Sequence, residues 1–237
     1  MLKRRWVSLN EKIPNLLKSL FKEHGTKIEF TKNKTIFSES DEANSVYFLM
    51  KGRVSLSKTT SGGKELTTRL CGHDDCFGEN ILFTSIQTYP FSAKTIEAST
   101  ILVISRSTLE NLLHGNSSAL LDCIQWLQIQ NMREQSKLRD LLLYGKKGAL
   151  YSTLIRLSNT FGVKNEDGSI IIPERYTHSD LANLCASSRE VVNRLMKELK
   201  EAHVISDQAG IITILKITYL KTYCECDQCP DSLCKLN

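Results

Sequence analysis

The sequence predicts an α+β fold in which a β-roll is followed by a long helix and a winged helix-turn-helix. Short alternating apolar runs separated by turns fill residues 26–106, and a long helical pattern covers 117–143. The rest of the chain reads as helix, strand, two short helices and hairpin. Many short strands at close spacing are typical of a sandwich or barrel, here a jelly roll. The expected parts are a sensory β-roll (1–115), a dimerisation helix (116–144), a winged-helix domain (145–220) and a cysteine-rich tail (221–237).

Composition and charge narrow the class of protein. Hydrophobic residues make up 41% and charged residues 24% of the chain, as in ordinary globular proteins. The formal net charge of +5 favours a polyanionic partner such as nucleic acid. No run approaches the roughly 18 apolar residues of a membrane span, and the N-terminus lacks a signal-peptide core. We therefore expect a cytoplasmic protein with no membrane partner. No nucleophile–base pair or phosphate loop occurs, so we do not expect an enzyme.

The first half of the chain alternates in the manner of strands. A helical apolar stripe at 8–22, closed by Gly25, comes first. Turn signals such as Lys51-Gly52 and Ser61-Gly62-Gly63 separate the runs that follow. The predicted strands are 27–30, 35–37, 46–50, 53–57, 66–70, 92–96 and 100–104.

The helical pattern at 117–143 has the spacing of a coiled-coil seam. The seam positions are Leu120, Ile124, Leu127, Asn131, Glu134, Leu138 and Leu141. One interpretation is a helix packed on its own domain. The other is a helix paired with a partner copy, in which polar Asn131 and Glu134 specify the register. We favour the homodimer, and we predict a hinge at the interrupting segment 145–148.

Residues 177–200 have the pattern of a helix-turn-helix, followed by a hairpin that would form a wing. Thr177 is expected to cap the first helix, and Ser187 or Ser188 the second. The leading turns of the second helix carry Arg189, Glu190, Asn193 and Arg194. Arginine can bond both guanine acceptors in the major groove, and glutamate can accept from a cytosine amine. The alternative is a solvated surface helix. The complete motif favours double-stranded DNA as partner, with Thr177, Ser187 and Ser188 as further contacts.

Four of the eight cysteines lie in the last fourteen residues: Cys224, Cys226, Cys229 and Cys234. At what we expect to be an exposed terminus, these thiols would not fill a core. Thiolates at such spacing are ligands for iron–sulfur clusters or zinc. A thiol–disulfide switch is the third alternative. We favour an iron–sulfur cluster.

The chain resembles the CRP/FNR superfamily of bacterial regulators. The segments that carry the resemblance are Ile36-Phe37-x-Glu39, the run Val46 to Val54, Phe77-Gly78-Glu79, and the recognition-helix core Arg189-Glu190-x-x-x-Arg194. The resemblance implies that Arg189, Glu190 and Arg194 read a TGTGA-like half-site. It also implies a palindrome with half-sites about one helical turn apart, and RNA polymerase as a further partner.

Members of this superfamily that bind cyclic nucleotides carry an arginine after the Gly-Glu turn. The arginine neutralises the cyclic phosphate. Here Phe91 stands at that position. A buried phosphate without its cation is strongly disfavoured. We therefore expect no cyclic nucleotide in the β-roll, and a structural role for Gly78 and Glu79.

The cysteine tail is similar to that of the Bacillus-type FNR branch. This resemblance implies a [4Fe–4S] cluster held by Cys226, Cys229 and Cys234, with Asp140 as the fourth ligand. Cys224 is the rival fourth ligand, although a Cys-x-Cys pair can hardly serve two irons comfortably. An acid near a helix C-terminus is mildly unfavourable, which suggests a local partner for Asp140. The implied function is oxygen-responsive activation of anaerobic genes.

Overall fold

The computed structural model of the chain describes residues 13–226, 230 and 233–237. It forms two compact units, one reaching to Gln130 and including Asn237, the other covering Asn131–Leu236. Over the described ranges, no helix has the length and apolarity needed to cross a membrane.

The first unit is built on two antiparallel sheets, as the alternating runs predict. The sheet orders are β1-β8-β3-β6 and β2-β7-β4-β5. The strands are β1 (Thr26–Phe30), β2 (Thr35–Phe37), β3 (Ser45–Lys51), β4 (Val54–Thr59), β5 (Glu65–Cys71), β6 (Asp75–Phe77), β7 (Ser92–Thr95) and β8 (Ser99–Ser105). The α+β prediction is confirmed. Strand β6 was not predicted, because its three residues are all buried and show no alternation.

Helices close the ends of this β-roll. Helix α1 (Asn15–His24) buries Leu17 and Phe21, and part of its predicted span, 8–12, lies outside the described residues. Helix α2 (Arg106–His114) was not predicted; Ser105 caps it by accepting a hydrogen bond from the backbone N–H of Thr108. Helix α3 (Ser117–Phe161) adds Cys123 and Trp126 to the same core.

Helix α3 is kinked where the sequence predicts a hinge. Gly145 has φ 60° and ψ −159°, a conformation that only glycine adopts readily. The kink divides α3 into a first arm (117–144) and a second arm (146–161). Gly148 is also required, since a Cβ there would lie 2.1 Å from the Tyr144 Cβ. The helix predicted at 149–161 is thus part of the second arm.

The first arm leaves its predicted seam largely uncovered. Ile124 is 44% and Leu138 56% exposed, and the polar seam positions Asn131 and Glu134 are also exposed. Two other seam positions, Leu120 and Leu127, are half-buried against the core that includes Trp126. Packing on its own domain therefore accounts for only part of the seam.

The second unit contains the winged helix-turn-helix. Its sheet has the order β11-β12-β10-β9. Its elements after α3 are β9 (Val163–Lys164), β10 (Ile170–Ile172), α4 (His178–Leu184), α5 (Arg189–Glu201), β11 (Ile205–Gln208), β12 (Ile211–Ile214) and α6 (Ile217–Tyr223). The sequence analysis did not identify α6, which ends directly before Cys224.

Gly52 provides a test of the β-roll turn between β3 and β4. It has φ +95°, and a Cβ there would lie 2.5 Å from the Ala98 carbonyl oxygen. We predict that Gly52→Ala lowers the free energy of unfolding by more than about 2 kcal/mol, because a backbone clash adds to the positive-φ strain. Gly63→Ala is the matched control, with φ +77° but no atom within 4 Å of the added Cβ; its cost is about 1 kcal/mol. Equal losses in urea unfolding would show that the clash is relieved.

Candidate DNA-reading helix and cysteine site

Helix α4 begins at a capping box. The backbone N–H of Asp180 donates to the Thr177 hydroxyl at 3.1 Å, and the backbone N–H of Thr177 donates to the Asp180 carboxylate at 2.8 Å. The predicted cap at Thr177 is therefore confirmed. Leu181 and Ala182 face inward, so α4 can pack closely in the motif.

Helix α5 begins at Ser188, whose hydroxyl accepts from the backbone N–H of Val191 at 3.4 Å. The buried face consists of Val192, Leu195, Met196 and Leu199. Ser188 rather than Ser187 is thus the cap. Ser187 is only 6% exposed, so the structure does not present this predicted DNA contact at the surface.

The leading turns of α5 present four polar side chains to solvent: Arg189, Glu190, Asn193 and Arg194. A backbone N–H and the Ser188 hydroxyl donate to the Glu190 carboxylate and lower its pKa. Arg194 donates to Glu198 one turn later, at 3.3 Å. The helix end therefore carries the donors and acceptors that base reading needs.

Asp140 occupies an unusual position at the end of the first arm of α3. The residue is 1% exposed, although it is charged and lies on a helix. Its Oδ2 accepts from Arg156 at 2.5 Å, and its Oδ1 accepts from Arg139 at 2.6 Å. The local partner that the sequence suggested is thus a pair of arginines. Burial of a carboxylate is tolerable only with such partners.

The sequence analysis missed Arg156, whose position in the second arm looks like an ordinary helical charge. It is 1% exposed and donates to Asp140, to the Ser136 hydroxyl at 3.1 Å and to the Cys234 sulfur at 3.7 Å. It thereby contacts both arms of α3 and the tail. The only sequence signal was its place among apolar neighbours in 149–157.

The last residues of the tail are bound to the second arm of α3. Asn159 donates to the Cys234 carbonyl at 2.9 Å, and the backbone N–H of Leu236 donates to Thr160 at 3.0 Å. Cys234 is 6% exposed. The expectation of an exposed terminus is therefore wrong for this cysteine, because side chains of the second arm satisfy its backbone.

Cys224 and Cys226 lie close together after α6. The Cys224 thiol is 1% exposed and donates to the Gly148 carbonyl at 3.7 Å, so it too is not at an exposed terminus. The side-chain hydrogen bond between the two cysteines raises the pKa of Cys224, and burial adds to that rise. The same hydrogen bond lowers the pKa of Cys226 to about 7. Asp140 lies within electrostatic range of both thiols. Cys226 therefore loses its proton more readily than Cys224.

The predicted ligands that the structure describes, Asp140, Cys226 and Cys234, belong to one unit but do not form a metal-binding group. Within residues 13–226, 230 and 233–237, no three His, Cys, Asp or Glu side chains are placed to hold a metal ion. Cys229 lies outside the described residues. Asp140, Cys226 and Cys234 are nevertheless brought to one region from distant segments. Three thiols and a carboxylate are a donor set that suits an iron–sulfur cluster.

In the β-roll, the turn glutamate has an internal partner. Arg69 donates to Glu79 at 2.5 Å, and both side chains are buried. A cavity of about 10 Å³, enough for one water molecule, lies beside Gly78 and Phe91. The Glu79 carboxylate is therefore already paired with a cationic side chain of the protein, Arg69.

The Asp140–Arg156 pair generates a stability prediction for the metal-free protein. Asp140→Ala leaves the Arg156 charge buried with a hydroxyl and a thiol, and should cost about 3–5 kcal/mol of unfolding free energy. Asp140→Ala/Arg156→Met removes both charges and should recover most of this loss. Urea unfolding in the presence of a chelator measures both. A loss below about 1 kcal/mol for Asp140→Ala would show that water solvates Arg156 instead.

Each of the two units matches a domain of known proteins. Residues 27–116 match the cyclic nucleotide-binding domain, and 148–223 match the Crp-like helix-turn-helix domain. The chain is 42% identical to the anaerobic regulatory protein of Bacillus subtilis (strain 168) over 222 residues, 93% of each. It is 31% identical to the global nitrogen regulator of Nostoc sp. over 188 residues, 79% of this chain and 84% of that protein.

Solved structures agree on the fold. The c-di-GMP responsive global regulator CLP of Xanthomonas campestris has a TM-score of 0.72 at 20% identity, covering 85% of this chain and 99% of that one. A CRP-family transcriptional regulator of Thermus thermophilus has a TM-score of 0.68 at 21% identity, covering 84% and 96%. On the evidence of its two matched domains and its Bacillus relative, this chain belongs to the CRP/FNR family of transcriptional regulators.

Proposed function

We propose that this protein is an oxygen-responsive regulator that binds a TGTGA-like palindrome as a homodimer and is controlled by a [4Fe–4S] cluster. The proposed ligands are Cys226, Cys229, Cys234 and Asp140. The observation that carries the proposal is the burial of Asp140 beside the tail cysteines, in the unit that also holds the recognition helix. The 42% identical relative in Bacillus subtilis is an anaerobic regulatory protein, which supports the same function.

The arrangement explains how ligand binding would reach DNA. Asp140 ends the first arm of α3, Gly145 follows as a kink, and the tail cysteines come after α6. Ligands on both sides of the kink would fix the second unit's recognition helix relative to the dimerisation arm. When bound, the cluster supplies an iron–sulfur centre that oxygen can oxidise. Release of the tail would then leave the two half-sites no longer engaged together.

The homodimer itself rests on the seam of the first arm. Apolar positions such as Ile124 and Leu138 are exposed together with polar Asn131 and Glu134. A second copy of the helix would bury the apolar positions and use the polar ones for register.

The internal Arg69–Glu79 pair and Phe91 support a β-roll that takes no cyclic nucleotide. RNA polymerase is the expected partner for activating anaerobic genes.

A zinc-stabilised or thiol-redox regulator of the same fold is the second candidate. The closeness of Cys224 and Cys226 favours it, because two adjacent thiols can also bind zinc or form a redox pair; the Cys226 thiol donates to the Cys224 carbonyl at 3.7 Å. Both forms would be colourless. The zinc form would bind DNA alike with and without air, whereas the thiol-redox form would change its DNA binding in air without any change in visible absorbance.

Purification without air decides between the two. We predict a brown protein with iron and sulfide, whose visible absorbance bleaches in air together with its specific operator binding. Asp140→Asn should lose the cluster, whereas Cys224→Ser should keep it, because Cys224 is not a proposed ligand. A colourless protein with air-indifferent binding would exclude the sensor. Full cluster content in Asp140→Asn would exclude Asp140 as ligand.

The recognition helix makes a separate prediction. Arg189→Ala should weaken binding to the TGTGA palindrome by about 1–3 kcal/mol and relax specificity at one base pair. Lys197→Ala, on the same helix but paired with Glu201, should weaken binding to all sequences uniformly. Fluorescence anisotropy with the palindrome and a scrambled duplex measures both. Equal losses on the two duplexes for Arg189→Ala would remove it from base reading.

A further inference from the structure

We propose that Arg156 is a positioning residue for the cluster: its guanidinium holds Asp140 and Cys234 together and offsets the negative charge of the ligands. This inference rests on the proposed function and adds a residue that the ligand set does not contain. Arg156 is 1% exposed and lies in the second arm of α3.

One guanidinium contacts two of the proposed ligands. Its Nη2 lies 2.5 Å from Asp140 Oδ2, and its Nη1 lies 3.7 Å from Cys234 Sγ. These ligands are 94 positions apart in the chain, counting from 140 to 234. The planar fork of arginine fixes the direction of both contacts, which a lysine ammonium cannot do. The two donor atoms are therefore held near each other by one rigid group.

Neutralising Asp140 does not by itself require Arg156. Arg139 already donates to the opposite carboxylate oxygen, at 2.6 Å and 3.0 Å, from a side chain that is 42% exposed. A second, fully buried arginine adds a positive charge that the carboxylate alone does not need. The contact with the Cys234 sulfur, at 3.7 Å, gives that charge a further use.

The negative charge of the ligand set explains why a second arginine would be useful there. Three thiolates and one carboxylate carry four negative charges against the two positive charges of a [4Fe–4S]²⁺ core. Excess negative charge in a buried site is costly unless a cation lies beside it. N–H donors to cluster sulfur and nearby charge also set the reduction potential. Arg156 provides both at one position.

The test compares Arg156→Met, Arg156→Lys and the control Arg139→Met after cluster loading without air. Arg156→Met should retain iron about tenfold less tightly in competition with a chelator. Its midpoint potential should also move to more negative values, since reduction loses a neighbouring positive charge. Arg156→Lys should keep the potential near that of the unsubstituted protein but lose retention. Arg139→Met should change both less, because its guanidinium is 42% exposed and water can replace it at Asp140 Oδ1.

The possible outcomes distinguish failure of this inference from failure of the proposed function. Retention in Arg156→Met equal to or tighter than in the unsubstituted protein would overturn the inference, because Arg156 would then be neutral or compete with iron for Asp140. If Arg156→Met does not fold, judged by circular dichroism of the cluster-free protein, Arg156→Lys decides: unchanged iron retention overturns the inference. Absence of a cluster in the unsubstituted protein would instead overturn the proposed function, and with it this inference.

Discussion

A buried ion pair joins the two arms of α3 across the kink at Gly145. Asp140 lies before the kink and Arg156 after it, and both are about 1% exposed. Removing Asp140 would leave the Arg156 charge in a low-dielectric interior, so the pair constrains the geometry of the hinge. The tail is bound to the same place, because Arg156 also contacts Cys234 and Asn159 holds its carbonyl. The hinge, the tail and the start of the winged helix thus share one polar centre.

This polar centre offers a physical route by which a change at Asp140 could reach the DNA-binding domain. The kink requires glycine, and the segments on either side carry proposed ligands. A change in the bonding of Asp140 would act directly on the helix that leads into the DNA-binding domain. Coupling of this kind needs an element with two arrangements, whose balance is shifted both by the bonding of Asp140 and by DNA binding. Gly145 is the residue at which the described α3 leaves helical geometry, with φ 60° and ψ −159°.

The β-roll combines the fold of the cyclic nucleotide-binding domain, matched over residues 27–116, with a buried ion pair of its own. Strands and turns follow the pattern of the cyclic nucleotide-binding domain, including Gly78 with φ 79°. The glutamate after that glycine is paired with Arg69 inside the protein, and the adjoining space is lined by aromatic and aliphatic side chains. The pair leaves Arg69 Nε and Glu79 Oε2 without hydrogen bonds among the described residues. Packing of Phe37 against Tyr89, with ring centroids 3.8 Å apart, fills the region beside it.

The sequence by itself determined the order of domains, the helix-turn-helix with its first cap at Thr177, and the hinge within 145–148. These features follow from local rules of periodicity, capping and glycine conformation, which act over a few residues. The tertiary structure alone decided that Ser187 and Cys234 are buried, and that Ser188 is the cap of α5. It also decided that Arg156 contacts Asp140 and Cys234. Burial and long-range ion pairs depend on which distant segments pack together, and local patterns carry no information about that.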